Sequence, residues 1–182
     1  MEDKRPITSV PLKIDGSFGL VSKSVTDARG TLTRIWENSL LSTGFSLKQA
    51  SIVTNPTSLT LRGLHYQKFP YSETKIIQCI SGKVFDVILD LRKESNTYGN
   101  HITLEIGPSS KYQGLVVPSG CAHGYMTLEA NSTLIYFMDN TYSTENSFGV
   151  LWNDPRLEIE WPFKPVFISK QDLEWPGLER NE

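Results

Sequence analysis

The length, composition and charge of the chain are those of an ordinary soluble globular protein. It has 182 residues, of which 38% are hydrophobic and 21% charged, and its formal net charge is −2. A chain of this size can bury a core without disulfides or metals, so we expect one domain spanning residues 1–182. The near balance of charge and the lack of a basic run argue against a nucleic-acid-binding protein.

The cysteines and the N-terminal sequence indicate a compartment. Cys79 and Cys121 do not form the Cys-x-x-Cys spacing of zinc ribbons or thioredoxin-type sites, and two free thiols suit a reducing environment. Residues 1–11 are polar and lack the apolar stretch of a signal peptide. No run approaches the roughly 20 apolar residues of a membrane-spanning helix. We therefore expect a cytoplasmic protein that does not contact a membrane.

Short β-rich segments, separated by turns that contain glycine, proline or asparagine, follow one another along the chain. This cadence predicts a β-sandwich or β-barrel rather than alternating strands and helices. Short helices are predicted only around residues 38–43 and after Ser169. The charged tail, from about residue 169 to 182, is expected to dock and to fray at its end. The predicted strands are residues 19–24, 31–37, 49–54, 60–66, 74–81, 83–91, 101–106, 114–117, 124–128 and 133–138.

The clearest strand, residues 83–91, alternates between two kinds of side chain. One face is apolar, whereas the other is mixed and carries two carboxylates. This pattern predicts either a wide barrel with a wet or ligand-bearing interior, or a sheet with one solvated face. The apolar face comprises Phe85, Val87, Leu89 and Leu91, and the mixed face comprises Val84, Asp86, Ile88 and Asp90.

The segment at residues 61–67 places Arg62 and His65 three residues apart, with Gly63 between them. In a regular strand the two side chains point to opposite faces. A bend or bulge at Gly63 would bring both into one cavity, because glycine tolerates the backbone angles required. A guanidinium suits a phosphate and an imidazole suits proton transfer near neutral pH. The alternative is a strand end with a surface arginine and a packed histidine.

The histidines bear on whether the protein uses a metal. The segment around His65 and the Pro-x-Gly-x-x-His sequence ending at His123 resemble the two sequence blocks of cupin barrels. Metal-binding cupins normally carry two histidines one residue apart in the first block, but Tyr66 and Gln67 follow His65 here. Zinc and iron sites need three or four strong ligands. We therefore expect no metal and no cofactor.

Over nearly its whole length the chain resembles the dTDP-4-dehydrorhamnose 3,5-epimerase family, a group of metal-free cupins. The resemblance implies a mainly β fold: a cupin-type jelly-roll barrel of antiparallel sheets with a few short helices. It also implies homodimers in which N-terminal strands are exchanged. The matching blocks, in order, are Asp27-x-Arg29-Gly30, Leu61 to Gln67, Lys75, Gly82 to Val87, Asp90 to Ser95, Pro118-x-Gly120-x-Ala122-His123-Gly124, Tyr136, Tyr142, Leu151 to Pro155, Ile159 to Pro162 and Ile168-Ser169-x-x-Asp172.

The same resemblance assigns catalytic roles in the epimerisation of a nucleotide-linked 4-keto-6-deoxy sugar. His65 would be the base, Asp172 would orient it, Tyr136 would be the acid on the other face, and Lys75 would stabilise the enolate oxygen. Each residue has a plainer alternative from the sequence alone. Tyr136 could be strand packing, Asp172 a helix N-terminal carboxylate, and Lys75 a surface lysine.

Further positions of the resemblance concern substrate binding. Arg29 and Arg62, with Lys75, would hold the diphosphate, since arginine forks suit phosphate oxygens. Gln49 and Tyr142 match positions that line the nucleotide-sugar site. His123 matches a pocket histidine, although a structural role beside its turn fits equally well.

The chain departs from the family pattern just after Gly30. Thr31 replaces an aromatic residue and Arg34 stands where a glutamate is usual, in a region that contacts the nucleotide base partly across the dimer. Arginine offers only donors, so hydrogen-bond polarity is reversed there and a base other than thymine is a second hypothesis.

The activity implied is epimerisation at C3, and by the same base and acid at C5, of a dTDP-4-dehydro-6-deoxyglucose-type substrate. It would serve deoxysugar and cell-surface polysaccharide biosynthesis. Alternatives are a 3-epimerase alone, a different nucleotide sugar, a metal-dependent cupin, or a sugar-nucleotide binder without activity.

Overall fold

The computed structural model describes residues 6–37, 40 and 44–178 of the chain. Within these residues the architecture is almost entirely antiparallel β, with one short α-helix, as predicted. The strands are β1 Ile7–Pro11, β2 Phe18–Ser22, β3 Ser24–Asp27, β4 Gly30–Thr33, β5 Gln49–Asn55, β6 Thr60–Gln67, β7 Lys75–Ser81, β8 Val84–Asp90, β9 His101–Ile106, β10 Gly114–Val117, β11 Cys121–Thr127, β12 Ser132–Met138, β13 Ser147–Gly149 and β14 Phe167–Ile168. The helix is α1, Lys170–Glu174.

Two sheets form the body of the fold. The first has the strand order β1-β2-β10-β7-β12-β5, and the second has the order β13-β6-β11-β8-β9, with β14 parallel to β6. β3 and β4 form a separate two-stranded hairpin. Within the described part of the chain, no helix is long and apolar enough to cross a lipid bilayer.

Every predicted strand overlaps an observed one, and the helix after Ser169 is confirmed. The prediction of 31–37 as one strand was too long, because pairing with β3 ends at Thr33. β1, β3, β13 and β14 were not predicted; the last two have only three and two residues, too few to show a periodicity. The predicted helix at 38–43 lies, apart from Leu40, outside the described residues.

The core explains why β8 is buried on both faces. Val84 and Ile88 lie in an apolar cluster between the two sheets, together with residues of β7, β10, β11 and β12. Val87 and Leu89 lie in a second cluster, which packs under the chain from Val150 to Leu178. The barrel alternative for this strand is therefore correct: its mixed face points inward, and the C-terminal part of the chain covers the other face.

A bulge in β6 brings Arg62 and His65 to one side of the sheet. His65 is opposite His123 and Arg62 is opposite Tyr125, so β6 has one residue more than β11 over this interval. The extra residue is accommodated at Gly63, which has a φ of 129°. A Cβ at Gly63 would overlap the backbone of Gly124, so the two strands approach too closely for any other residue.

The segment Trp175–Leu178, here called the C-terminal strap, fastens α1 to the loop after β13. Leu151 N donates to Pro176 O at 2.8 Å, and Leu178 N donates to Asp154 Oδ2 at 2.7 Å. Arg156 binds the same Asp154 carboxylate through its side chain and its backbone N–H. Hydrogen bonds from the Arg156 side chain are the main reason that the pKa of Asp154 falls to about 2. Asp154 is thus the buried anchor of the strap.

We expect Gly63→Ala to lower the free energy of unfolding by about 2–4 kcal/mol, because the new methyl group has no space and the backbone angle is strained. Gly30→Ala is a matched control: Gly30 has nearly the same φ, 130°, but a Cβ there meets nothing within 4 Å. It should cost only about 1–2 kcal/mol. Urea unfolding of the two variants measures the difference, and equal losses would contradict the close approach of β6 and β11.

We expect Asp154→Asn to remove a pH-dependent part of the stability. A carboxylate whose pKa is lowered on folding stabilises the protein above its unfolded pKa, near 4, and this contribution is lost as the pH falls towards about 2. The wild type should therefore exceed the variant by about 2 kcal/mol at pH 6, and the gap should close at pH 2. Urea unfolding across this range measures it, with Asp15→Asn at an exposed position as the control. A gap that does not depend on pH would refute the anchoring role.

Candidate active site

A cavity of about 740 Å³ opens between the two sheets at one end of the barrel. A smaller cavity of about 320 Å³ adjoins it, and the two share His65, Lys75 and Tyr136. These three side chains come from different strands of both sheets: β6 belongs to the second sheet, and β7 and β12 to the first. The polar side chains that line the larger cavity include Arg62, His65, Lys75, His123, Tyr136 and Asp172.

His65 is paired with Asp172 by a short hydrogen bond, 2.6 Å from Nε2 to Oδ1. The histidine side chain is 41% exposed to the cavity, whereas the carboxylate is 5% exposed. Burial raises the pKa of Asp172, but the hydrogen bond and charge of His65, with the N–H of Gly63, outweigh it and hold the pKa below its usual value. Asp172 therefore remains an anion that can stabilise a protonated imidazole.

Asp172 also has the helix-capping role that the sequence left open. Its backbone N–H donates to the Ser169 side chain at 3.0 Å, and the residue lies in the first turn of α1. The cap fixes where α1 begins, and the carboxylate of the same turn reaches His65. Asp172 therefore lies in the capped first turn of α1 and also contacts His65, and the cap positions the carboxylate. Its role in orienting a catalytic base stays a prediction.

Tyr136 projects from β12 into both cavities and also packs against the interior cluster. Burial, with the neighbouring Tyr125 and Asp86, raises its pKa well above the usual value. The phenol is therefore protonated at neutral pH and can act only as a proton donor or hydrogen-bond partner. The ring of His123 meets Tyr136 edge-on, with centroids 6.0 Å apart.

His123 is held by Asp86, a carboxylate that the sequence placed on the mixed face of its strand but did not assign to the site. Its Nε2 lies 2.9 and 3.0 Å from the two oxygens of Asp86, which is completely buried. Burial is the main reason that the pKa of Asp86 is raised. Asp86 comes from the inward face of β8, so the alternation of that strand had already placed a carboxylate inside the barrel. His123 thus lines the cavity and is structurally fixed at the same time.

Lys75 is buried at the junction of the two cavities and is not a surface residue. Its Nζ lies 3.1 Å from Glu73 and donates to the carbonyl oxygen of His65 at 3.2 Å. Gln67 donates to the other oxygen of Glu73 at 2.6 Å. Glu73 was not predicted, and no sequence motif pointed to it. The network holds the ammonium group close to the His65 backbone.

Arg62 is held in a different way from the other cations of the site. Its Nε donates to the amide oxygen of Asn55 at 3.0 Å, and the Tyr125 hydroxyl donates to the same oxygen at 3.2 Å. In the described part of the chain no carboxylate forms a salt bridge with Arg62. A neutral amide therefore fixes the guanidinium and leaves its charge for an anionic ligand.

The remaining predicted residues lie at two places. Gln49 and Tyr142 line the smaller cavity, where the Tyr142 N–H donates to Gln49 Oε1 at 2.9 Å. Arg29 is not brought to either cavity: it lies at the turn of the β3–β4 hairpin, 90% exposed and paired with Asp27. A metal site requires three or more ligand side chains that converge on one point. Among the described residues, no three His, Cys, Asp or Glu side chains converge as such a site would require.

The barrel and the residues in its open end define the chain as a cupin-type protein with a small-molecule site. A family model described as dTDP-4-dehydrorhamnose 3,5-epimerase matches residues 11–180. The chain therefore belongs to the dTDP-4-dehydrorhamnose 3,5-epimerase family, as its motifs predicted.

Individual relatives agree with this membership. The chain is 39% identical over 117 residues to the dTDP-4-dehydrorhamnose 3,5-epimerase of Shigella flexneri, and this match covers 64% of each protein. The crystal structure of the Bacillus anthracis enzyme with TDP and PPi bound is 33% identical, with a TM-score of 0.89 over 94% of this chain and 99% of that one. The Legionella pneumophila enzyme in complex with dTDP-4-keto-L-rhamnose is 27% identical, with a TM-score of 0.87 over 94% and 92%.

Proposed function

We propose that the protein is an isomerase that epimerises a nucleotide-diphosphate-linked 4-keto-6-deoxy sugar at C3 and C5. The observation that carries this proposal is the placement of His65 and Tyr136, which face one cavity from strands of different sheets. Epimerisation beside a ketone needs a base on one face of the carbon and an acid on the other. The family membership and the ligands named for the Bacillus anthracis and Legionella pneumophila enzymes support a dTDP-linked substrate.

The reaction begins with proton removal from C3, next to the C4 ketone. His65 takes the proton, and Asp172 stabilises the imidazolium that forms. The electron pair moves into the enolate, whose oxygen is stabilised by Lys75, and one such donor contributes about 3–4 kcal/mol. Tyr136 then gives its proton to the opposite face of C3 and is reprotonated from solvent, while the His65 imidazolium releases its proton to solvent and becomes a base again. Repetition at C5, which is also next to the ketone, inverts the second centre.

Two positively charged residues are proposed to hold the diphosphate. Arg62 faces the cavity with its charge uncompensated by a carboxylate among the described residues, as a phosphate clamp requires. Arg29 would act from a second copy of the chain, because its own hairpin lies away from the cavity. Val25 and Leu32, opposite each other on that hairpin, are 68% and 72% exposed. Their burial in a homodimer with exchanged N-terminal strands would remove this apolar surface from water.

The nucleotide base is the part of the substrate that this chain's own sequence puts in question. Arg34 forms a salt bridge with Glu37 at 3.4 Å, at the base of the hairpin that carries Thr31. A non-thymine base is therefore kept as the second candidate, and a 3-epimerase alone as the third. The remaining alternatives are a metal-dependent cupin and a sugar-nucleotide binder without activity, and the exchange experiment described next distinguishes them from an epimerase. The cytoplasm is the proposed compartment.

NMR in D2O with dTDP-, UDP-, CDP- and GDP-linked 4-keto-6-deoxyglucose tests the activity. The proposal predicts deuterium at C3 and C5 of the dTDP sugar, at an unchanged rate after treatment with a chelator. Binding without exchange would establish the inactive binder, and loss of exchange on chelation would establish the metal-dependent cupin. Faster exchange in a sugar linked to another nucleotide would identify that nucleotide, and not dTDP, as part of the substrate. Exchange confined to C3 would show that the protein epimerises C3 alone.

The base is tested by His65→Ala, which should lower the rate of exchange by about 10²–10⁴-fold, the contribution of a positioned general base. His101→Ala is the matched control, because His101 begins β9 and lines neither active-site cavity. It should leave the exchange rate within about twofold of the wild type. An active His65→Ala variant would show that another group removes the proton.

A further inference from the structure

Trp175 makes a direct contact with the carboxylate that orients His65. Its indole N–H donates to Asp172 Oδ1 at 3.2 Å, and this is the oxygen to which His65 is bonded at 2.6 Å. The indole ring also lies edge-on to the imidazole, with centroids 6.3 Å apart. One carboxylate oxygen thus serves two N–H groups, one that titrates and one that does not.

The position of the indole is fixed from two sides. Gly149 of β13 is opposite His65, and a Cβ at Gly149 would overlap the Trp175 ring. Gly149 therefore provides the space that the indole occupies. On the other side the C-terminal strap holds the backbone, through the hydrogen bonds of Pro176 and Leu178 described above. The indole cannot leave Asp172 Oδ1 without disturbing these contacts.

The second donor has a consequence for proton transfer. A hydrogen bond to a carboxylate withdraws part of its negative charge and weakens its attraction for a neighbouring cation. A carboxylate that accepts from Trp175 therefore stabilises the His65 imidazolium less than a carboxylate bound to His65 alone. The indole also restricts the rotation of the carboxylate, so Oδ1 stays directed at the histidine.

We propose that Trp175 is a positioning residue for the proton transfer, which fixes Asp172 Oδ1 and sets the pH range in which His65 acts as a base. The effect of Trp175 on the reaction rests on the proposed function. The hydrogen bond between Trp175 and Asp172 is independent of that function. Trp175 also lines the smaller cavity, so contact with substrate is the competing explanation for any loss of activity.

Other ionisable groups face the His65–Asp172 pair from the strands packed around it. They are the same residues in the variant and in the wild type when only residue 175 is changed, so a difference between the two pH profiles originates at residue 175. They are Arg62 and Tyr66 from β6, Glu73 from the loop before β7, Lys75 from β7, His123 and Tyr125 from β11, Tyr136 from β12 and Tyr142 after it, with Asp86 of β8 bonded to His123.

The kinetic test is Trp175→Phe, which keeps an aromatic ring and removes the N–H donor. The acidic limb of the pH profile of kcat/KM, measured by exchange in D2O, should move to higher pH by about 0.5–1 unit because the imidazolium is better stabilised. Trp161→Phe is the matched control: it removes an indole hydrogen bond of 2.9 Å to Trp152 O, in the cluster under the outer face of the second sheet. Its profile should coincide with that of the wild type.

A raised KM with an unmoved pH profile would show that Trp175 only contacts substrate, and would overturn the proposal. An equal shift in Trp161→Phe would also overturn it, because the effect would then come from lost packing. If the wild type itself showed no exchange, the proposed function would fail, and the hydrogen bond would be tested separately.

That separate test uses protein labelled with ¹⁵N at its four tryptophans. In Asp172→Ala the Trp175 indole N–H signal should move upfield and exchange faster with water, while the other three indole signals stay in place. An indole signal of Trp175 that is unchanged in this variant would refute the contact with Asp172, whatever the enzyme's activity.

Discussion

The close approach of β6 and β11 at two facing glycines is the constraint on which the site depends. The extra residue of the bulge is accommodated at Gly63. A side chain at Gly124, on the facing strand, would overlap Leu64 and the Arg62 carbonyl. Without the bulge, Arg62 and His65 would lie on opposite faces of the sheet, one in the cavity and one in the core. The cavity receives both because the two backbones are in contact at this point.

The charges in the cavity are arranged according to what each group does. Lys75, His65 and His123 each have a carboxylate of their own, from Glu73, Asp172 and Asp86. These pairs keep the ionisable groups in fixed positions. Burial still disfavours the charged form of Asp86, whose pKa is raised.

Arg62 is the contrasting case, since the amide of Asn55 orients it without neutralising its charge. Among the described residues no carboxylate forms a salt bridge with this guanidinium, so its charge suits an anion such as the diphosphate of the proposed nucleotide-sugar substrate. The arrangement thus separates His65, Lys75 and His123, each paired with a carboxylate, from Arg62, the proposed clamp for the diphosphate.

Much of the fold and part of the site could be predicted from the sequence. All strands of six or more residues were found, because alternation is recognisable over that length, whereas the five-residue β1 was missed. Gly63 indicated the bulge because a cation and an imidazole lie on either side of it. The motifs named His65, Lys75, Tyr136 and Asp172, and the structure brings all four to one cavity. Their roles as base, acid and enolate stabiliser remain proposals.

The contacts that hold these residues could not be predicted. Glu73 and Trp175 have no motif, and they reach their partners only through the three-dimensional path of the loop before β7 and of the strap. Arg29 is the opposite case: a motif predicted it as a site residue, but within its own chain it is exposed to solvent and lies away from both cavities. Sequence identifies the chemical groups, whereas long-range packing decides which of them meet.

His65 and Tyr136 are proposed to face one sugar carbon from different sides of the cavity, as its base and its acid, and Tyr136→Phe separates the two roles. In D2O with the accepted 4-keto-6-deoxy sugar, the account predicts that this variant still exchanges the C3 proton, because His65 is intact. The configuration at C3 should be retained, because no donor remains on the far face. Exchange accompanied by inversion at the wild-type rate would show that Tyr136 is not the acid and would contradict the account.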